Sequence, residues 1–238
     1  MSFRTLLGIK LKLRFRDSGT YVAIFVMPIL LVVMMSFLNS DADIQSMMQL
    51  FLPGGIAMVI LVEFCDYMVY LVTDKDRGIS HRIGTVPISK AKYLTSEILA
   101  MLSVTAIALC FLMMIMLALG VHMEGSWISF IAVILLASFA LMAMGSMIAG
   151  FLRSETTAFW LGFTLIFVMM SLVFVPEMAF PESIRPFVAV LPTSSMCYLL
   201  YEIITDTGTL SSNLDNVAIL VGWLAGCSAV AAFTFRWD

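Results

Sequence analysis

Charge is scarce in this sequence. Asp, Glu, Lys and Arg make up 12% of its 238 residues, about half the roughly 25% of an ordinary soluble domain, too few to clothe a surface facing water. Histidine is scarcer still: His81 and His122 are the two present, and neither stands in an HExxH zinc-protease pattern. There is no GxxxxGK[ST] run to cradle nucleotide phosphates and no GxSxG elbow to hold a serine nucleophile. The chain has no recognisable catalytic motif, so if ATP drives it, another chain must bind the nucleotide. Cys65, Cys110, Cys197 and Cys227 show no CxxC spacing. Three of them lie in apolar runs, where a thiol packs as a small hydrophobe, and neither a disulfide nor a metal site is expected. No internal repeat supports the duplicated halves of a secondary transporter. The net charge of −3 says little, since the placement of charge matters more than its sum, and no nucleic-acid partner is expected.

What fills the chain is apolar: 61% hydrophobic residues, with a mean hydropathy of +1.03. The runs are continuous rather than alternating, which favours membrane helices over a barrel. The pattern predicts an all-α polytopic membrane protein with six spans, at about Thr20–Leu38, Pro53–Thr73, Tyr93–Val121, Trp127–Phe151, Thr157–Val175 and Asn216–Phe235. Each is long enough to cross ~30 Å of hydrocarbon at 1.5 Å per residue. The basic start is too polar, and the apolar run after it too long, for a cleaved signal peptide.

Lys and Arg fall on one side of these spans, as cytoplasmic loops require. Residues 1–17 hold Arg4, Lys10, Lys12, Arg14 and Arg16; the 74–92 loop holds Lys75, Arg77, Arg82, Lys90 and Lys92; Arg153 and Arg236 complete the set. The opposite loops hold Arg185 beside Asp41, Asp43, Glu124, Glu177, Glu182, Glu202, Asp206 and Asp215. Both termini are therefore expected in the cytoplasm, with the chain in the plasma (inner) membrane. Before the first span, "IKLKLRFR" (Ile9 to Arg16) alternates like a strand. A lone strand has no partner there, so a short interfacial helix is expected, with Leu6, Ile9 and Leu13 inserted and Lys and Arg snorkelling to headgroups. Between the last two spans, Pro176, Pro181, Pro186 and Pro192 forbid a continuous helix. Ile184–Leu191 stays apolar, which predicts an external segment (176–215) that dips back into the outer leaflet.

Polar groups inside the spans are the candidates for chemistry. Glu63 and Asp66 stand three apart, on one helix face with Tyr70. A charge at mid-membrane costs roughly 2.5–3.5 kcal/mol on insertion scales, so neither acid should face lipid. Two readings stay open: a stripe lining a polar cavity or meeting a second copy, or neutralised acids satisfied within the bundle. Glu97 is expected to pair with Lys90 or Lys92. Phe163, Phe167, Met170 and Phe174 recur at helical spacing; such a stripe either faces lipid and neighbouring helices or walls an apolar substrate. Gly145, Ser146, Ala149 and Gly150 permit close helix approach.

The loop "DKDRGISHRIGTVPISKAK" (Asp74 to Lys92) carries more than orientation demands. Gly78 can end one helix, while Pro87 and Ser89 can begin the next. Between them Ile79, Ile83 and Val86 follow i, i+4, i+7 spacing, an apolar edge with His81 and Arg82 beside it. The stretch "LVTDKDRGISHRIGTVPISKAKYLTSEIL" resembles the segment between the second and third spans of type-2 ATP-binding cassette (ABC) exporter permeases. "RTLLGIKLKLRFRDSGTYVAIFVMPILLVV" resembles that family's basic connecting helix and first span, and "FVPEMAFPESIRPFVAVLPTSSMCYLL" its proline-broken external segment. Ser80 and His81 stand where an acid is common in the family, and Ser96 and Glu97 where a Gly-Lys pair is common.

The resemblance implies a single permease domain over residues 1–238, working as a homodimer or as a heterodimer with a similar chain. Two copies of a separate ABC ATPase subunit would hold ATP and Mg, this chain itself needing no cofactor. Arg77, Gly78, Ile79, His81, Arg82, Ile83, Val86 and Pro87 would seat against that ATPase. Glu63, Asp66, Tyr70, Phe163, Phe167, Met170 and Phe174 are the candidates for a substrate pathway. A hydrophobic drug, an antimicrobial peptide or a lipid-like compound is the expected cargo. The alternatives are an ion-coupled carrier using Glu63 and Asp66, or a non-transporting sensor or scaffold subunit.

Overall fold

Apolar runs of this length have one economical conformation in a bilayer, because a helix satisfies every backbone N–H and C=O within itself. A computed structural model describes residues 3–16, 25–26, 29–30, 44–78, 90–120, 122–174 and 180–234, and every regular element among them is helical. In chain order these are α1 (Phe3–Arg14), α2 (Ile44–Asp76), α3 (Lys90–Ala118), α4 (Trp127–Phe151), α5 (Glu155–Phe174), α6 (Arg185–Ala189), α7 (Pro192–Ile204) and α8 (Leu214–Thr234). Among the described residues, five stretches are long and apolar enough to cross a membrane: Phe51–Asp76, Thr95–Ala118, Trp127–Phe151, Glu155–Val173 and Leu214–Thr234. They match the expected second to sixth spans within a few residues. The expected first span, Thr20–Leu38, lies outside the described residues apart from 25–26 and 29–30. Phe25 meets Phe111 of α3 edge-on, with ring centroids 6.0 Å apart.

Helix ends follow the local chemistry. Gly78 and Gly120 adopt positive φ (64° and 85°) just past α2 and α3, a conformation that costs glycine nothing and terminates the helix. Ser126 caps α4, its hydroxyl accepting from the Ser129 N–H. Two boundaries differ from expectation. α2 runs 33 residues from Ile44 and holds Pro53 in its interior, so the loop expected over 39–52 is helical from Ile44 onward. A proline removes one backbone bond from a helix, which long flanks and tertiary packing here override. Within the expected external loop, Pro192 opens the 13-residue α7. The prolines that break a long helix thus also start a short one, since proline suits the first helical position.

α2 is the axis of the bundle, packed by α3, α4, α5 and α7, while α8 leans on α4 and α1 lies against α3. Ile56, Ile60, Phe64, Met68 and Leu71 of α2 are fully buried. The small-residue patch of α4 does what its composition suggests: Gly145 lets Phe64 and Tyr67 approach so closely that a Cβ there would sit 3.3 Å from the Phe64 ring, and Ser146 hydrogen-bonds the Tyr67 hydroxyl at 3.0 Å. α7 buries Met196, Leu199, Leu200, Ile203 and Ile204, and its last carbonyl accepts from the Glu124 N–H at 3.1 Å. It thereby ties the external segment to the turn between α3 and α4.

Candidate functional site

The polar centre of the molecule lies at the end of the bundle from which the α2–α3 loop leaves, and it is built from side chains four residues apart on three helices. On α1, Leu6, Lys10 and Arg14 share one face, and all three are buried. On α2, Asp66, Tyr70 and Asp74 repeat at the same interval, and on α3 so do Tyr93 and Glu97. Residues four apart in a helix lie one above the other, so three short ladders meet side by side.

Arg14 bridges two helices. Its Nη1 reaches Asp66 Oδ2 on α2 at 2.7 Å, while Nη2 and Nε reach Glu97 Oε1 on α3 at 2.7 and 3.2 Å. Glu97 is fully buried and divides its oxygens, Oε1 to Arg14 and Oε2 to Lys10 Nζ at 2.8 Å. Lys10 also donates to the hydroxyls of Tyr70 (2.6 Å) and Tyr93 (3.1 Å) and lies 3.8 Å from Asp74. Tyr93 in turn donates to Asp74. The Arg14 guanidinium stacks 4.0 Å from the centre of the Tyr70 ring, and Lys10 lies 4.7 and 4.3 Å from those of Tyr70 and Tyr93, placing both cations on aromatic faces that attract them. Burial by itself disfavours the charged forms of Lys10 and Arg14. For Lys10 the opposing attraction of Glu97 and Tyr70 wins, for Arg14 that of Asp66 and Glu97, and both pKa values are raised.

Two expectations are corrected here. Glu97 pairs with Arg14 and Lys10 in place of a base next to it in sequence; the side chain of Lys90 lies outside the described residues. Lys10 and Arg14 do not snorkel to headgroups; they point into the protein, while Ile9 and Leu13 are exposed together with Arg4 and Lys12. The reason is energetic: a carboxylate as buried as Glu97 demands a charged, well-bonded partner, and a helix presenting two cations on one face supplies it. Lys10, Arg14, Asp74, Tyr93 and Glu97 are site residues that sequence reasoning missed, although the matched four-residue spacings were there to find.

The proposed pathway residues separate into two groups. Asp66 and Tyr70 join the cluster. Glu63, one turn farther along α2, is buried, and neither carboxyl oxygen has a hydrogen-bond partner among the described residues. Phe163 and Phe167 are exposed and Met170 is half-buried, while the side chain of Phe174 lies outside the described residues. The side of α5 facing α2 is instead made by Ala158, Gly162 and Met169, Gly162 being so close to Cys65 and Met68 that a Cβ there would force their side chains to shift. The aromatic stripe therefore turns away from the acids.

Of the loop residues, Arg77 and Gly78 are described; Ile79, His81, Arg82, Ile83, Val86 and Pro87 lie outside the described residues. Arg77 makes an exposed ion pair with Glu155 at the start of α5, 3.4 Å long. Its neighbour Lys75 donates to the carbonyls of Ala149, Gly150 and Leu152 at 2.8, 3.2 and 3.2 Å, a cation on the unsatisfied C-terminal carbonyls of α4. The profile of a family described as ABC-2 family transporter protein matches residues 42–234 of the chain. No curated protein matches it.

Proposed function

The chain belongs to the ABC-2 family of transporter proteins, multi-pass membrane components, and from that premise we propose that it is the permease subunit of an ATP-driven exporter. Two permease chains, identical or similar, form the pathway between them, and two separate ATPase subunits supply ATP and Mg. Both termini and the 74–92 loop lie in the cytoplasm of a cell whose plasma membrane the chain crosses six times, the first crossing at Thr20–Leu38. The external segment re-enters the membrane. Supporting this, the Trp223 indole donates to the Val190 carbonyl at 2.8 Å, and Trp223 stands nine residues into α8, about 13 Å along its axis. With α8 spanning the membrane, that spacing would set the α6–α7 junction inside a layer ~30 Å thick.

The observation that carries the reading is the buried cluster at the two ends of the α2–α3 loop. Asp74 lies four residues before Gly78, Tyr93 stands just inside α3, and Lys10 and Tyr93 link them. A force applied at Ile79, Ile83 and Val86, with Arg82 and His81 as polar contacts and Arg77, Gly78 and Pro87 as the frame, then reaches α2, α3 and α1 together. Charged groups in fixed geometry have few alternative arrangements, so they pass on displacement instead of absorbing it. Asp66 is engaged with Arg14, which disfavours an ion-coupled carrier needing Glu63 and Asp66 as an unoccupied pair. Phe163, Phe167, Met170 and Phe174 offer an apolar wall to a hydrophobic drug, peptide or lipid-like cargo, or to the second copy.

The test is Ile83→Asp in the complex with the co-purifying ATPase. Insertion and α1 docking should persist, while ATPase stimulation by the permease falls about tenfold or more, the loss of roughly 1.4 kcal/mol of coupling. Unchanged stimulation would sink the reading.

A further inference from the structure

The two sides of α1 carry different rows. Leu6, Lys10 and Arg14 face inward, the two cations engaged with α2 and α3. Arg4, Gly8 and Lys12 repeat at the same four-residue interval, and Arg16 extends their row just past the helix end. An offset of two residues from the inner row is ~200° round a helix of 3.6 residues per turn, so this row lies on the opposite side. Arg4, Lys12 and Arg16 are exposed, and among the described residues no acid pairs with any of them. The row has a gap at its middle, since a Cβ on Gly8 would meet nothing within 4 Å. Arg4 and Lys12 therefore stand ~12 Å apart along the axis, with bare backbone between them. Ile9 and Leu13, 45% and 53% exposed, border the row.

Depth and charge decide what meets this face. Tyr93 and Glu97, which hold the inner row, flank Thr95, where the membrane-crossing stretch of α3 begins. α1 is thus fixed where α3 enters hydrocarbon, at the level of the lipid phosphates. Unpaired cations there attract an anion, and a soluble polyanion would leave Ile9 and Leu13 in water. A phospholipid offers a phosphate to Arg4 and Lys12 and acyl carbons to Ile9 and Leu13. An anionic headgroup is favoured over a zwitterionic one, which brings its own ammonium to the phosphate. We propose that the outer face of α1 is a binding site for the phosphate of an anionic phospholipid, seated over Gly8 between Arg4 and Lys12, with Arg16 adding to the attraction. The inference rests on α3 crossing the bilayer, and not on coupling to an ATPase.

The test is native mass spectrometry of the full-length protein in detergent, titrated with phosphatidylglycerol or with phosphatidylcholine of the same acyl chains. Retention of phosphatidylglycerol several-fold above phosphatidylcholine is expected. The preference should fall at least twofold when Arg4→Gln and Lys12→Gln are combined, and hold in Arg153→Gln, which removes an exposed cation between α4 and α5. Gly8→Leu keeps every charge but fills the gap; it should lower the preference about as far, and it stands in should the double variant fail to insert. Equal retention of the two lipids by wild type, or a preference that survives the double variant or falls as far in Arg153→Gln, overturns the site. A preference lost in the double variant but kept in Gly8→Leu means diffuse attraction without a seat, and overturns it too. So does protection of Lys12 from an amine reagent by the co-purifying ATPase and not by phosphatidylglycerol, which gives the face to a protein. No readout of lipid binding needs ATP, so its failure leaves the exporter reading standing, and unchanged stimulation in Ile83→Asp leaves the lipid site standing.

Discussion

The two ends of the bundle are held by different forces. At the loop end, α1, α2 and α3 meet through Lys10, Arg14, Asp66, Asp74 and Glu97, in ion pairs of 2.7–3.8 Å. At the other end α7 is held by Met196, Leu199, Leu200, Ile203 and Ile204, with a backbone bond from Glu124 and a weak thiol contact from Cys197 to the Pro53 carbonyl at 3.7 Å. Apolar contacts are non-directional and can repack by small shifts. Buried ion pairs are discrete and costly to break. The difference assigns precision to one end and tolerance to the other.

The most damaging way to break this contrast is Glu97→Ala, which removes the carboxylate shared by two buried cations. Breaking a buried pair from one side costs about 3–5 kcal/mol. A large fall in Tm is expected, together with new accessibility of α1 to a thiol reagent when Leu6→Cys is introduced. Leu200→Ala at the other end deletes a fully buried side chain and should cost about 2–5 kcal/mol, yet leave α1 inaccessible. If Leu200→Ala frees α1, the two ends are not independent. Lys75→Met removes the donor to the α4 carbonyls, a loss of about 1.5–3 kcal/mol for bonds to a charged group, read as faster amide exchange near Ala149 to Leu152. The smallest effect concerns pH. The folded-state pKa of Lys10 lies above 10.5, so its contribution is fully present below pH 10.5 and lost as pH rises through the folded value. The Tm gap between wild type and Lys10→Met should stay constant from neutral pH to about 10.5 and narrow above it; narrowing at lower pH would mean that Lys10 is not held as described.

What could be read from the sequence was local. Trp127–Phe151 was placed to the residue, and Gly78 as a helix end, because apolar runs and a positive-φ glycine are properties of adjacent residues. α7 was missed because four prolines read first as breakers, though Met196, Leu199, Leu200, Ile203 and Ile204 carry helical spacing. The partner of Glu97 was misassigned because proximity in sequence favoured Lys90 and Lys92, whereas Arg14 is 83 residues away. Glu63 and Asp66 were seen as one stripe, but only contacts across helices separate an acid bound to Arg14 from one without a partner among the described residues.

Lys75 reaches from the last turn of α2 to three carbonyls that close α4, and Arg77 reaches Glu155 where α5 begins. Kinematically these contacts remove joints. Lys75 joins α2 to α4, and the exposed Arg77–Glu155 pair adds a weaker tie to the root of α5. In the proposed transporter a rotation of α2 driven at the loop would carry α4 with it and reach the Phe163–Phe167 face only through that weaker tie.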